Sequence, residues 1–189
     1  MNNHFINGTE QFTVGFIDSG TTFTYLPGGL WTQLVVHFDW FCGLDKDNHC
    51  KGNKVYNPRN SNTLCFAYDE RKFPDGPKAY FSSFPILNIR LRQSPAGDFI
   101  LLAWYPSEYL YRDKPDQYCL AAEKYTRGEI LIGGTLMRQH NFIFDIDGNR
   151  LGVARARCNE DPNQVLHAED MVLAGQRYGL DPTHVESLT

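Results

Sequence analysis

The chain has 189 residues, long enough for one domain with a sizeable core, and its 42% apolar and 14% aromatic content excludes global disorder. A formal net charge of −4 with no clustered Lys/Arg stripe excludes a nucleic-acid surface.

Residues 1–11 read as a polar lead, an extended connection or a truncated strand. Met1-Asn2-Asn3-His4 has neither the basic nor the apolar region of a signal peptide. Asn7-Gly8-Thr9 is a glycosylation sequon, which makes Asn7 a glycosylation candidate. From Phe12 an apolar run rich in β-formers stops abruptly at Asp18-Ser19-Gly20-Thr21-Thr22, placing a carboxylate, three hydroxyls and a glycine on one tight turn. The hydroxyls can donate to Asp18, and Gly20 lets a backbone N–H come close, so the carboxylate is oriented and kept ionised. A bare Asp-Ser-Gly is more often a surface turn, so this stretch carries a function only with further support.

Pro27-Gly28-Gly29 opens a helix in which Leu30, Leu34, Val35 and Phe38 recur on one face with Trp31 nearby. The cluster Phe38-Asp39-Trp40-Phe41 is read as core packing before ligand binding. Residues 45–62 are charged, with Asn, Gly and Pro, and read as a surface loop. Strand signals resume at 63–68. A polar stretch, 69–78, separates them from 84–91, and Ser94-Pro95-Ala96-Gly97-Asp98 joins that strand to 99–105 as a hairpin. Strands follow at 117–122 and 129–133, with a short helix at 135–139. Residues 141–145 and 150–156 form a terminal hairpin turning at Asp147-Gly148-Asn149. The longest apolar run, Phe99 to Tyr105, is far below the roughly 20 residues that span a bilayer. Residues 159–189 carry six acids against one Arg, so the body before them is at +1; their spacing at Val165, Leu166, Met171, Val172 and Leu173 gives an acidic, partly helical tail. A juxtamembrane spacer or docking segment is the alternative for that tail.

Support for the Asp18 turn comes from residues 129–156. Ile130-Leu131-Ile132-Gly133-Gly134 leads to Asn141-Phe142-Ile143-Phe144-Asp145, then to Asp147-Gly148-Asn149 and Arg150-Leu151-Gly152-Val153-Ala154. The two segments together resemble the C-terminal lobe of the pepsin-like aspartic proteases. In that family a hydrophobic-hydrophobic-Gly element threads beside an Asp-Thr/Ser-Gly turn and a closing strand pair follows. Pro106-Ser107-Glu108-Tyr109-Leu110 is a third point of likeness. Within the family the Asp18 turn, the end of the first helix and Cys158 look most like the plasmepsin V-like branch, which is membrane-anchored in the secretory pathway.

The resemblance implies a mostly-β fold with a few short helices: a single C-terminal lobe of the bilobal acid-protease fold over residues 12–158, with 1–11 as interlobe connection and 159–189 as tail. It implies aspartic endopeptidase chemistry, with Asp18 as the second-lobe catalytic carboxylate, Ser19 bracing the two lobes' turns, Gly20 a backbone donor, and Thr21 an outer hydroxyl, with Thr22 completing the turn. Leu131, Ile132 and Gly133 would support that turn structurally. Phe16, Phe23 and Tyr25 are candidates for lining peptide subsites, with packing the more common role. It implies disulfides Cys65–Cys119 and Cys42–Cys158, leaving Cys50 over; Cys42–Cys50 with Cys158 free or bound elsewhere stays open as the other pairing. Without a Cys-x-x-Cys pair no metal site is expected, and no cofactor. Ser19 lacks a Gly-x-Ser-x-Gly elbow, which argues against a serine hydrolase despite six histidines.

Aspartic proteases need two carboxylates sharing a proton, and no second Asp-Thr/Ser-Gly occurs in the sequence. The family's flap strand and its Tyr also have no counterpart. The expectation is therefore half an enzyme, inactive as an isolated lobe, whose partners are a polypeptide substrate and a missing N-terminal lobe with the first Asp. The alternatives are a catalytically silent lobe that binds peptide or a partner protein, or a homodimeric protease with two copies of Asp18. The cysteines and the sequon imply an oxidising compartment, the secretory pathway or the extracellular space, with signal and membrane anchor outside the residues shown.

Overall fold

The computed structural model describes residues 15–43, 49–55, 62–92 and 99–156. The chain divides into two units, Met1–Arg155 and Ala156–Thr189, and every described strand and helix lies in the first. The polar lead with Asn7, the 94–98 turn, Cys158 and the tail lie outside the described residues.

Strands dominate, as the short β-forming runs between turn residues lead one to expect. β1 (Gly15–Ile17) ends at the Asp18 turn and β2 (Thr24–Pro27) leaves it. The helix α1 (Gly28–Gly43) follows at the predicted Pro-Gly-Gly start and buries Trp31, Leu34 and Phe38, three residues at helical spacing. Within the Phe38–Phe41 cluster only Phe38 is fully buried, while Trp40 is 41% exposed and Phe41 half-buried. β3 (Lys54–Val55) falls inside the stretch expected to be loop, because its two residues pair with the register partners Phe66 and Cys65 of β4 (Cys65–Ala67). A 3-10 turn at Glu70–Lys72, capped by the Asp69 carboxylate on the Arg71 N–H, and α2 (Lys78–Phe81) occupy the polar connection. α2 was not expected; it is held by Tyr80, fully buried between Tyr68, Phe73, Phe84 and Tyr118.

β5 (Leu87–Arg92) and β6 (Phe99–Trp104) form the predicted hairpin. Pro106 at the first turn starts α3 (Pro106–Tyr109), which runs straight into β7 (Leu110–Lys114). β8 (Gln117–Leu120), β9 (Ala122–Tyr125), β10 (Ile130–Ile132), α4 (Gly134–Met137) and the hairpin β11 (His140–Asp145) with β12 (Arg150–Arg155) complete the lobe. The strands order as β1-β10-β2-β9 and β3-β4-β8-β7, with β5-β6 and β11-β12 as separate pairs. In the terminal turn the Asp145 carboxylate accepts the Gly148 N–H at 2.8 Å and binds Arg150 at 2.7 Å, and Asn149 takes the left-handed conformation at φ 49°.

The core is aromatic. Phe66 meets Phe84 edge-on at 4.9 Å and Tyr68 meets Tyr118 at 5.1 Å, each ring burying area worth roughly 2–3 kcal/mol. The polar tips of the buried rings are satisfied: Tyr80 donates to the Ala67 carbonyl at 3.1 Å and Tyr109 to that of Pro85 at 2.6 Å. Among the described residues two disulfides brace this core. Cys65–Cys119 joins register partners of β4 and β8, and the bond from the Leu120 N–H to the Leu64 carbonyl identifies theirs as the close, non-hydrogen-bonded kind of antiparallel pair. The second bridge is Cys42–Cys50, which corrects the Cys42–Cys158 pairing. Its cause is local: an eight-residue separation brings the end of α1 and the buried Cys50 to a Cα–Cα distance of 4.8 Å, inside disulfide reach.

Candidate functional site

β10 threads between the two arms of the Asp18 turn. It pairs in parallel with β1, Phe16 beside Leu131 and Ile17 beside Ile132, and antiparallel with β2 through Leu131 and Tyr25. Asp18 leaves this pairing with its own N–H donating to the Ile132 carbonyl at 3.0 Å, so the last backbone bond of the strand fixes the first residue of the turn. Ile132 is buried and Leu131 half-buried, and together they form the floor beneath the turn. Gly133 is required there for space. Its φ of −95° suits any residue, but a Cβ would lie 2.1 Å from the Phe23 carbonyl oxygen and 2.8 Å from that of Thr21.

The Asp18 carboxylate is exposed and doubly hydrogen-bonded. Oδ1 accepts the Gly20 N–H at 2.9 Å and Oδ2 accepts the Thr21 hydroxyl at 2.6 Å. The Thr21 hydroxyl first, then the Gly20 N–H, hold its pKa below the ordinary aspartate value. Gly20 serves by closeness, since a Cβ there would meet Asp18 Oδ1 at 3.2 Å. Ser19 and Thr22 are exposed beside it, and among the described residues their hydroxyls make no hydrogen bond. The turn thus presents an ionised carboxylate and two free hydroxyls outward. Of the three aromatics near it, Phe16 is 53% exposed, whereas Phe23 packs on Tyr111 at 4.9 Å and Tyr25 on Tyr125 at 5.6 Å.

Behind the turn the structure brings in Gly134, the last residue of the Ile130–Gly134 element, and two residues that the sequence motifs do not mark, Thr135 and Thr24. The N–H groups of Gly134 and Thr135 donate to the carbonyls of Thr21 and Thr22 at 2.7 and 3.0 Å. Thr24, 1% exposed, offers its Oγ1 to the Gly133 N–H at 3.4 Å. Elsewhere the buried Glu108 accepts a two-pronged ion pair from Arg155, whose guanidinium also lies 4.8 Å over the Tyr105 ring. This fastens the end of β12 to α3. Among the described residues, no group of three His, Cys, Asp or Glu is placed to hold a metal ion. Nor is any described helix long and apolar enough to cross a membrane.

A strand threaded between the arms of an Asp-Ser-Gly turn, followed by a closing hairpin, is the arrangement expected of a pepsin-like C-terminal lobe. The family model described as xylanase inhibitor C-terminal matches residues 4–155. The chain belongs to this family. Its fold is accordingly a pepsin-like C-terminal lobe, mostly β with a few short helices. Plasmepsin V of Plasmodium falciparum, isolate 3D7, is 26% identical over 159 residues, covering 75% of this chain and 26% of that protein. Aspartic proteinase 36 of Arabidopsis thaliana is 24% identical over 149 residues, covering 76% of this chain and 26% of that protein. This xylanase inhibitor C-terminal family member therefore spans about a quarter of the length of the curated relatives it matches. Its kinship is with the pepsin-like aspartic proteases.

Proposed function

We propose that the chain is the second half of a two-lobed aspartic endopeptidase, with Asp18 as one of two catalytic carboxylates. The observation that carries this reading is the state of Asp18: exposed, oriented by Gly20 and Thr21, and held ionised at neutral pH. In aspartic proteases two such groups stand about 3 Å apart and share one proton. The ionised member takes a proton from water as it attacks the peptide carbonyl, and the protonated member polarises that carbonyl. One carboxylate cannot fill both roles, so a partner lobe supplies the other. The free hydroxyl of Ser19 is suited to brace the partner's turn, and the exposed apolar residues Ile143, Phe144 and Ile146 of the terminal hairpin offer it a surface.

The substrate is a polypeptide lying between the lobes. Two disulfides support residence in an oxidising compartment, the secretory pathway or the extracellular space, with any membrane anchor outside this chain. A catalytically silent, peptide- or protein-binding lobe is the second reading, supported by the absence of a second Asp-Thr/Ser-Gly from the sequence and by the inhibitor in the family's description. A homodimer with two copies of Asp18 is a third arrangement. The coding sequence upstream decides between them: another Asp-Thr/Ser-Gly and a flap Tyr are expected, and a complete transcript with neither rejects the two-lobed reading.

A further inference from the structure

Thr21 holds Asp18, but Thr21 is itself held from behind. The Gly134 N–H donates to its carbonyl at 2.7 Å and the Thr135 N–H to that of Thr22 at 3.0 Å, so the first turn of α4 grips two successive residues of the Asp18 turn. α4 has four residues, too few to be stable through its own helical hydrogen bonds. Two side-chain bonds seat it. The Thr135 hydroxyl donates to the Ala121 carbonyl at 3.1 Å, and the indole N–H of Trp104 on β6 donates to the Thr135 carbonyl at 3.2 Å. Ala121 is fully buried, so without the Thr135 hydroxyl its carbonyl is left with one donor and water cannot supply the second; Trp104, 2% exposed, holds its indole N–H in place on the half-buried Thr135. The Ala121 oxygen also accepts the Thr24 N–H at 3.1 Å. One carbonyl thus binds both the strand that leaves the Asp18 turn and the helix that grips it.

We infer that Thr135 and Trp104 are positioning residues for Asp18, fixing the first turn of α4 so that the Thr21 hydroxyl meets the Asp18 carboxylate. Neither touches Asp18. The route runs from Trp104 to Thr135, from Thr135 to Thr22, and from the neighbouring Thr21 to Asp18, each step a hydrogen bond or a peptide link. The inference rests on the proposed role of Asp18, but its test does not require activity.

The test follows the titration of the Asp18 carboxyl carbon by NMR in the full 189-residue chain. Thr21→Val is the reference and removes the hydroxyl directly, which is expected to raise the Asp18 pKa toward the ordinary aspartate value. Thr135→Val and Trp104→Phe are expected to raise it in the same direction by a smaller amount, while Thr135→Ser, which keeps the hydroxyl, leaves it at the wild-type position. An unchanged Asp18 titration in folded Thr135→Val, or in Trp104→Phe, overturns the inference and leaves these residues as stabilisers only. Should Thr135→Val fail to fold, Trp104→Phe decides alone, since it keeps a ring in the same space and deletes the N–H. Titration shifts of the expected kind, together with no peptide cleavage by a folded two-lobed protein carrying both aspartates, would reject the proposed function and leave the positioning role intact.

Discussion

Replacing Gly133 by Ala probes the crossing on which the Asp18 turn depends. The new methyl would sit 2.1 Å from the Phe23 carbonyl oxygen, 2.7 Å from the Phe23 carbonyl carbon and 2.8 Å from the Thr21 oxygen. Ordinary contact begins near 3.4 Å, so the Phe23 backbone must retreat by about 1.3 Å. It cannot do so freely, because the Thr24 N–H is tied to Ala121 and the Thr21 carbonyl to Gly134. A clash of backbone with backbone belongs at the upper end of overpacking costs, about 3 kcal/mol. At roughly 2–4 °C per kcal/mol for a chain of this size, Tm falls by about 6–12 °C. Thermal unfolding followed by circular dichroism measures this, with Gly29→Ala as control, since nothing lies within 4 Å of a Cβ there. A Gly133→Ala protein melting within about 2 °C of wild type would refute the tight crossing.

The two disulfides should differ in worth. Closing loops of separation 54 and 8, Cys65–Cys119 stabilises by about 4 kcal/mol and Cys42–Cys50 by about 2.5 kcal/mol on the chain-entropy model, to be read from urea unfolding of the two double-Ala variants. Arg155→Met strands the buried Glu108 carboxylate, and because Arg155 itself is about a third exposed the loss should be about 2–3 kcal/mol, below the range for fully buried pairs. Adding Glu108→Leu should recover part of it. Burial holds the His140 pKa below 6.5, so the folded lobe binds that proton less readily than the unfolded chain and loses stability as pH falls through 6.5. Tm against pH should show this decline in wild type and a shallower one in His140→Gln.

What could be read from the sequence was whatever declares itself locally. The Asp18 turn, the Ile130–Gly134 element, α1 and the two long hairpins all carry their signals in consecutive residues: a carboxylate among hydroxyls, a run ending in Gly, a helical apolar spacing, a Gly-bearing turn. β3 and β7 went unseen because they are two and five residues long and pair with the nearby β4 and β8, without an alternating pattern of their own; β2 and β9 went unseen because each is four residues long and exists through a distant partner, the other strand. The same reason hid the groups behind the turn: Trp104 and Thr135 are 31 residues apart, and Glu108 and Arg155 are 47. The family resemblance misled at Cys42, where chain proximity to Cys50 prevailed over the pairing expected with Cys158. Ile143, Phe144 and Ile146 stand exposed on the terminal hairpin, where the proposed reading places a partner lobe.

The most direct test of that account is peptide cleavage by the lobe joined to an N-terminal lobe carrying its own Asp-Thr/Ser-Gly turn, assayed with Asp18 intact and with Asp18→Asn. Cleavage that requires both lobes, is blocked by pepstatin and is abolished by Asp18→Asn is the predicted result. Cleavage that survives Asp18→Asn, or a correctly folded two-lobed protein with both aspartates that cleaves nothing in a peptide library, would contradict it.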